Sequence, residues 1–395
     1  MTSKSIALFD FSITQDSPAG SCVLQLVKNL AKDYHFTVFA DRFDNPAPHD
    51  IDWVRVPLPR RPVVLRYVLF KYLAPFYYRR FVQRRGTAPE LIIATEGEFV
   101  HCDICYVHFC HRAYLQQRQL KIASARAIAR LATHHFNARA EAEAISQAKA
   151  IVTPSLGLAR ELGQTYASTA KDKILTLPNP IDIHHFTKPE HHSSADLRTH
   201  LGLHTEDIVL VFTALGDFER KGLRLVVQAF AKLRSPQLKL LVVGGNDHEI
   251  SEYAAICQQL NVSDNIRFVG FQSDIRPYLW LSDAFILPSA YETFSLAAFQ
   301  AAIAGLPVIA TQLYGVEDFL QPGINGWLIE RTESSIIQTL KSVVTHQEQL
   351  SEMGQQAHLT GSQFGVPLFI ESWRQLLETT LANTDLTPLG VQSTA

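Results

Sequence analysis

The sequence predicts an α/β protein built from two doubly wound parallel-sheet domains. Short apolar runs alternate with helix-like stretches along almost the whole chain. Such near-continuous Val/Ile/Leu/Phe runs are what strands buried on both faces require. The alternation occurs twice, with a proline-interrupted polar stretch between, and βαβ repetition of this kind builds parallel sheets. At 395 residues the chain has room for two to three domains.

In the first half the predicted strands are Ile6–Phe11, Phe36–Ala40, Trp53–Val56, Leu91–Ala94, Ile104–Phe109, Ala150–Pro154 and Ile174–Leu177. In the second half they are Ile208–Ala214, Leu238–Val243, Ile266–Phe271, Ala284–Leu287, Pro307–Thr311 and Trp327–Ile329. The opening run meets Asp10 early and reads as a first strand, not a secretory leader. Pro178-Asn179-Pro180 blocks regular structure, and the His-rich stretch after it (His184, His185, His191, His192) reads as a solvated linker. The expected boundaries are 1–180, 181–365, a helix within 366–383 with its apolar face at Phe369, Ile370, Trp373, Leu376, Leu377 and Leu381, and a polar, disordered tail 384–395.

Composition narrows the class. Hydrophobic residues make up 47% and charged residues 19%, which fits packed cores and excludes a disordered chain. No apolar run is long enough for a membrane-spanning helix. Five cysteines, an odd number, argue against a disulfide framework and for a reducing, cytoplasmic setting. Residues 1–200 hold 25 Lys and Arg against 18 Asp and Glu, whereas residues 201–395 hold 11 against 20. A basic half beside an acidic half suggests different partners, the basic one facing an anionic surface.

Two constellations in the second half carry chemistry. Gly216-Asp217-Phe218-Glu219-Arg220-Lys221-Gly222 joins a strand to a helix, a place where backbone N–H groups and the cations Arg220 and Lys221 could hold a phosphate. The same pair would equally suit a solvated turn. Glu292 follows the strand Ala284–Leu287 and stands just before a helix that Thr293 or Ser295 could cap. A carboxylate there suits sugar hydroxyls, or simply a helix dipole, and Gln300 lies eight residues on.

With Pro178-Asn179-Pro180-Ile181-Asp182 and Gly323-Ile324-Asn325-Gly326, these segments resemble the family-4 retaining glycosyltransferases of GT-B fold, with two Rossmann-like domains. The order matches: P-N-x-x-D, then G-x-F-x-R-K-G, then a Glu with its partner position eight residues later, then A-x-x-G-x-P-V-I-A and G-x-N-G. The Arg-Lys loop looks most like bacterial enzymes that extend lipopolysaccharide cores and related cell-surface glycans. The resemblance implies that Arg220 and Lys221 hold the diphosphate of a nucleotide-sugar and that Glu292 holds its sugar. It implies that Gly216 and the backbone of Thr293, Phe294 and Ser295 approach the diphosphate, and that position 300 binds the ribose. A glutamine there departs from the family's acid and implies weaker nucleotide contact. Gly20 and Ser21, in Pro18-Ala19-Gly20-Ser21, resemble the loop that faces the donor phosphates, although one glycine remains. His108 is placed near the transferring sugar, with His111 as the alternative. The first domain then binds a glycan or lipid-linked acceptor, the second binds the donor, and the active site falls in the cleft between. No metal or other cofactor is required. A catalytically impaired binding or scaffolding subunit is the second reading, motivated by Gln300 and the thin Gly20 loop. A nicotinamide enzyme is disfavoured, because no G-x-G-x-x-G follows the first strand.

Two further segments have weaker readings. Cys102, Cys105 and Cys110 interleave with His101, His108 and His111, which would suit zinc, but strand alternation sends neighbours to opposite faces and favours buried free thiols. Residues Arg60 to Arg85 carry eight cations, no acid and seven aromatics, and Arg112, Arg118, Lys121, Arg126 and Arg130 are candidates to extend the patch. That composition points to peripheral contact with an anionic inner membrane face, and no recognition motif for nucleic acid accompanies it.

Overall fold

The structure, a computed structural model, describes residues 4–60, 63–117 and 125–382. Arg61, Arg118, Lys121, the side chain of Arg126 and the tail 384–395 lie outside the described residues. Strands in chain order are β1 (Lys4–Phe9), β2 (Ser12–Ile13), β3 (Tyr34–Ala40), β4 (Arg42–Phe43), β5 (Asp52–Arg55), β6 (Leu91–Thr95), β7 (Ile104–Tyr106), β8 (Ala150–Thr153), β9 (Ile174–Thr176), β10 (Ile208–Ala214), β11 (Leu238–Gly244), β12 (Ile266–Gly270), β13 (Ala284–Leu287), β14 (Val308–Thr311) and β15 (Gly326–Ile329). All thirteen predicted strands are present. The two-residue pair β2 and β4 was not foreseen, being too short to show a period.

Two compact units result: Met1–Pro180 with Val366–Ala395, and Ile181–Gly365. In the first, a seven-stranded parallel sheet runs β5-β3-β1-β6-β7-β8-β9. Its core joins Ile6, Leu8, Phe36, Val38, Ile93 and Tyr106 to the apolar face of the helix Val366–Leu381, where Trp373 is fully buried. In the second, a six-stranded parallel sheet runs β12-β11-β10-β13-β14-β15. Strand order reverses direction between β1 and β6 in one sheet and between β10 and β13 in the other. At such switch points the loops leaving neighbouring strands diverge and open a crevice at the carboxyl edge.

Several expectations need correcting. The linker is not a plain loop: Ile183–Phe186 and Ala195–His200 are short helices, and Trp280 Nε1 donates to the Phe186 carbonyl at 2.8 Å. The first helix starts at Pro18, inside the segment that resembles a loop. Ser17 caps it by accepting from the Gly20 amide at 3.2 Å, so Gly20 and Ser21 lie within a helix and not in an open loop. Gly20 is needed there because a Cβ would sit 2.1 Å from the Ser12 carbonyl oxygen. Strand β7 ends at Tyr106, short of Phe109, because the His108 amide turns to Glu96 Oε1 at 2.8 Å. Cys22, Cys102, Cys105, Cys110 and Cys257 are all buried free thiols.

A candidate donor site in the second unit

The site grows out of the pairing of β10 with β13, which aligns Leu210 with Ala284 and Val211 with Phe285. The chain leaving β10 forms the one-turn helix Phe218–Lys221 and then Gly222 at φ +84°. A Cβ on Gly222 would lie 2.2 Å from the Pro288 carbonyl oxygen, so glycine lets this loop press on the one leaving β13. The Ala290 amide donates to the Arg220 carbonyl at 2.9 Å and locks the contact.

Arg220, Lys221 and Glu292 therefore meet. Lys221 Nζ donates to Glu292 Oε1 at 2.6 Å, Arg220 Nη1 at 3.2 Å, and the Ser289 hydroxyl at 2.8 Å. Arg220 also donates to the Tyr291 carbonyl at 2.6 Å and to Asp217 Oδ2 at 2.7 Å. The Glu292 side chain is 12% exposed, Lys221 15% and Arg220 28%, so the group is half-desolvated and open on the Arg220 side. Burial works against the Arg220 charge, but Glu292 and Asp217 outweigh it and hold the guanidinium above its usual range. One carboxylate oxygen accepts all three bonds, which leaves the other for a ligand hydroxyl.

The remaining predicted residues of this unit lie on the same two loops and on the helix that follows the second. Gly216 is half-buried, and a Cβ on it would come within 3.0 Å of Glu249 Oε2. Glu249 was missed from sequence, yet it accepts the Phe218 amide at 3.2 Å, so that N–H is already occupied. Thr293 is half-buried; Phe294 is buried and stacks on Phe299 with ring centroids 4.4 Å apart. Neither Thr293 nor Ser295 caps the helix Leu296–Ile303 with its side chain. Ser295 occupies the cap position in a left-handed conformation, φ +59°, and its buried hydroxyl has no partner. An orphaned buried hydroxyl at a strained residue is a mark of a functional turn. Gln300 is half-buried within that helix. Ser289 was also missed, as was Arg331, which donates to the carbonyls of Pro288 and Glu219 and so staples the two loops.

In the first unit the carboxyl edge is acidic, although the surrounding half is basic. Asp10, Glu98 and Glu141 are buried there, with Glu96 beside them. Burial raises the Asp10 carboxyl to about 6 and Glu141 to about 7, and lifts Glu96 and Glu98 well above the ordinary carboxylate range. His108 is buried against Tyr106, centroids 4.1 Å apart, and its Nε2 lacks a partner. Burial drives its pKa down to about 3, so the ring is neutral at pH 7. His111 is likewise neutral at about 3, through burial first and His134 second. Ser21 hydrogen-bonds back to the Pro18 carbonyl at 2.9 Å, and Gly20 packs on Ser12. The Arg60–Arg85 segment forms the helix Val63–Arg85, whose Arg66, Lys71 and Arg85 pair with Asp41, Glu143 and Asp52. Among the described residues no helix is long and apolar enough to cross a membrane.

Two parallel α/β units, the second carrying a cation–carboxylate cluster at its switch point, define a class, and comparison with known proteins agrees. The family model described as Glycosyl transferases group 1 matches residues 195–360, and the one described as Glycosyltransferase Family 4 matches residues 19–185. The chain belongs to the family-4 glycosyltransferases of GT-B fold. It is 28% identical over 170 residues to a lipopolysaccharide core biosynthesis glycosyltransferase, LpsE, of Rhizobium meliloti, covering 42% of this chain and 49% of that protein. It is 30% identical over 202 residues to a D-inositol 3-phosphate glycosyltransferase of Jonesia denitrificans, covering 48% and 47%. The chain thus spans about half the length of these curated relatives. The crystal structure of WaaG, described as a glycosyltransferase involved in lipopolysaccharide biosynthesis, shares the fold at a TM-score of 0.75 and 16% identity, over 94% of this chain and 99% of that one. Anabaena HepE in complex with UDP and glucose follows at 0.72 and 18%, over 95% and 100%.

Proposed function

We propose that the protein is a retaining glycosyltransferase that moves a hexosyl unit from a nucleoside-diphosphate sugar to a glycan or lipid-linked acceptor in cell-surface polysaccharide synthesis. The observation that carries this reading is the convergence of Arg220 and Lys221 on Glu292 at the second unit's switch point. Two cations balance the charge that develops on a departing diphosphate, and a fixed, half-desolvated pair does so without reorganising. Glu292, held by Ser289, keeps one oxygen for sugar hydroxyls. The cations rest on Glu292. An incoming diphosphate competes for them and turns a closed ion-pair group into a binding site. The diphosphate oxygen itself is suited to take the acceptor's proton, so transfer proceeds without a divalent metal. A relative named for lipopolysaccharide core biosynthesis, and a structural neighbour solved with UDP-glucose, favour this substrate class.

The test is a thermal-shift screen of UDP-, ADP-, GDP- and TDP-sugars, followed by a transfer assay in EDTA. A ligand at 100 times its Kd adds about 2.7 kcal/mol. At about 2–4 °C per kcal/mol for a unit of this size, the right donor raises Tm by roughly 5–10 °C. Donor cleavage should survive chelation. A flat screen with no cleavage of any sugar nucleotide would sink the reading. Binding without turnover would favour a binding subunit.

The acceptor side carries its own expectation. On the helix Val63–Arg85, Tyr72 and Phe76 are 67% and 56% exposed, along the stripe that continues into Arg79, Arg80 and Arg84. An acid-free aromatic and cationic stripe fits the headgroup region of an anionic bilayer, at about 1 kcal/mol per cation. Co-sedimentation with phosphatidylglycerol vesicles should fall at least tenfold in an Arg79→Glu/Arg80→Glu/Arg84→Glu variant. Equal binding by both proteins would remove the helix from the membrane face.

A further inference from the structure

We propose that the first unit binds a zinc-type divalent ion through Glu96, His111 and Glu141. One ligand atom from each residue can be chosen so that all three lie within 4.8 Å of one another. They arrive from separate elements: the end of β6, the start of the helix His111–Gln117 and the helix Ala125–Gln147.

These atoms face one another as acceptors. Asn137 Nδ2 donates to His111 Nε2 at 3.4 Å, which places the ring proton on Nδ1, opposite His134 Nδ1 at 2.9 Å; Nε2 has one lone pair, so an ion would replace this long Asn137 contact. Glu96 Oε2 lies 3.9 Å from that Nε2, is buried and accepts no hydrogen bond. Glu141 Oε2 accepts the His111 amide at 2.7 Å, and the Tyr166 hydroxyl is spent on Oε1. Among the described residues no lysine or arginine forms an ion pair with Glu96 or Glu141. Lone pairs turned on one another in a dry site are costly unless a proton or cation lies between them.

The donor set of one imidazole and two carboxylates is one that zinc accepts, with bonds of about 2.0–2.2 Å. At 3.9 Å apart, Glu96 Oε2 and His111 Nε2 fit on one ion at a wide angle. Glu96, 19% exposed with Oε2 unbound, is the arm able to close on it. The surrounding shell is in place too. His134 accepts from the far ring nitrogen, the His108 amide holds Glu96 Oε1, and Tyr166 orients Glu141, the kind of support ligating side chains receive. The cysteines of this region, which drew attention in the sequence, are not part of the group. The ion would tie the β6 loop to two helices, and the proposal stands independently of the transferase reading.

The full chain, stripped with EDTA and dialysed, is titrated with zinc and with cobalt. Bound metal is measured by mass spectrometry, cobalt by its visible absorption, and Tm is followed in parallel. The expected result is one ion per chain, a cobalt spectrum of low coordination number and a Tm that rises until one equivalent is bound. Glu96→Gln and His111→Gln should each weaken binding by at least about tenfold, while His192→Gln in the second unit changes nothing. Circular dichroism checks the fold. If His111→Gln does not fold, the isosteric Glu96→Gln decides. Wild-type protein that holds no ion at ten equivalents, or a Glu96→Gln variant that binds as wild type does, overturns the proposal.

Discussion

Replacing Lys221 by alanine is expected to lower kcat by about 10²–10³-fold while the protein stays folded. Lys221 makes the shortest contact to Glu292, 2.6 Å, and is largely shielded from water. Its charge therefore acts at higher effective strength than a surface lysine's would. Loss of the amine leaves Glu292 with Arg220 Nη1 and the Ser289 hydroxyl, so the carboxylate is not stranded. The stability cost should stay near 1 kcal/mol, a fall of about 2–4 °C in Tm. Under the proposed function, donor affinity should weaken less than turnover, because the charge to be balanced would be greatest as a diphosphate leaves. Steady-state kinetics with calorimetric melting separates the two effects. A well-folded variant with near-normal kcat would remove Lys221 from the reaction.

The second large effect is on stability. Trp373→Ala should cost about 3–5 kcal/mol, the range for emptying the site of a fully buried aromatic. Trp373 has no exposed surface, lies edge-on to Tyr106 at 5.1 Å and sits beside Phe369 at 6.2 Å. Tyr106 in turn donates its hydroxyl to Asn179 at 2.6 Å, so the cavity would open next to a buried hydrogen bond. The helix that carries Trp373 joins the first unit from the far end of the chain. Scanning calorimetry should therefore show the transition of the first unit falling by roughly 10 °C, with donor-induced stabilisation of the second unit retained. A change below about 2 °C would mean that this helix contributes little to that core.

Much of the fold could be read in the chain because parallel strands are apolar on both faces. Most of the thirteen strands of the two large sheets announce themselves locally as a short run of Val, Ile, Leu or Phe; the exposed edge strand β5, Asp52–Arg55, does so least. The loop carrying Arg220 and Lys221 and the loop carrying Glu292 were found for a related reason, since each directly follows such a run. Features that depend on residues distant in sequence were not legible. Glu249 takes the Phe218 amide from 31 positions away, and Arg331 bridges the loops from 43 and 112 positions away. Thr293 or Ser295 is expected to cap the helix, and Ser295 takes the cap position, but in a left-handed conformation whose hydroxyl makes no capping bond. Gly20 resembles a phosphate-loop residue, and the sequence did not show that its missing Cβ also makes room for the Ser12 carbonyl.

Amino-acid order alone determined the two α/β units, their boundary near Pro180 and the loops that carry the charged residues. Apolar periodicity and proline are local signals, and they act wherever the chain happens to be. Only the tertiary structure decided that Arg220 and Lys221 share one carboxylate oxygen of Glu292, and that Glu96, His111 and Glu141 crowd together with, among the described residues, no lysine or arginine ion-paired to either carboxylate. Both groupings follow from which strands lie side by side, and strand order is settled by the packing of the whole sheet, a property no single segment contains.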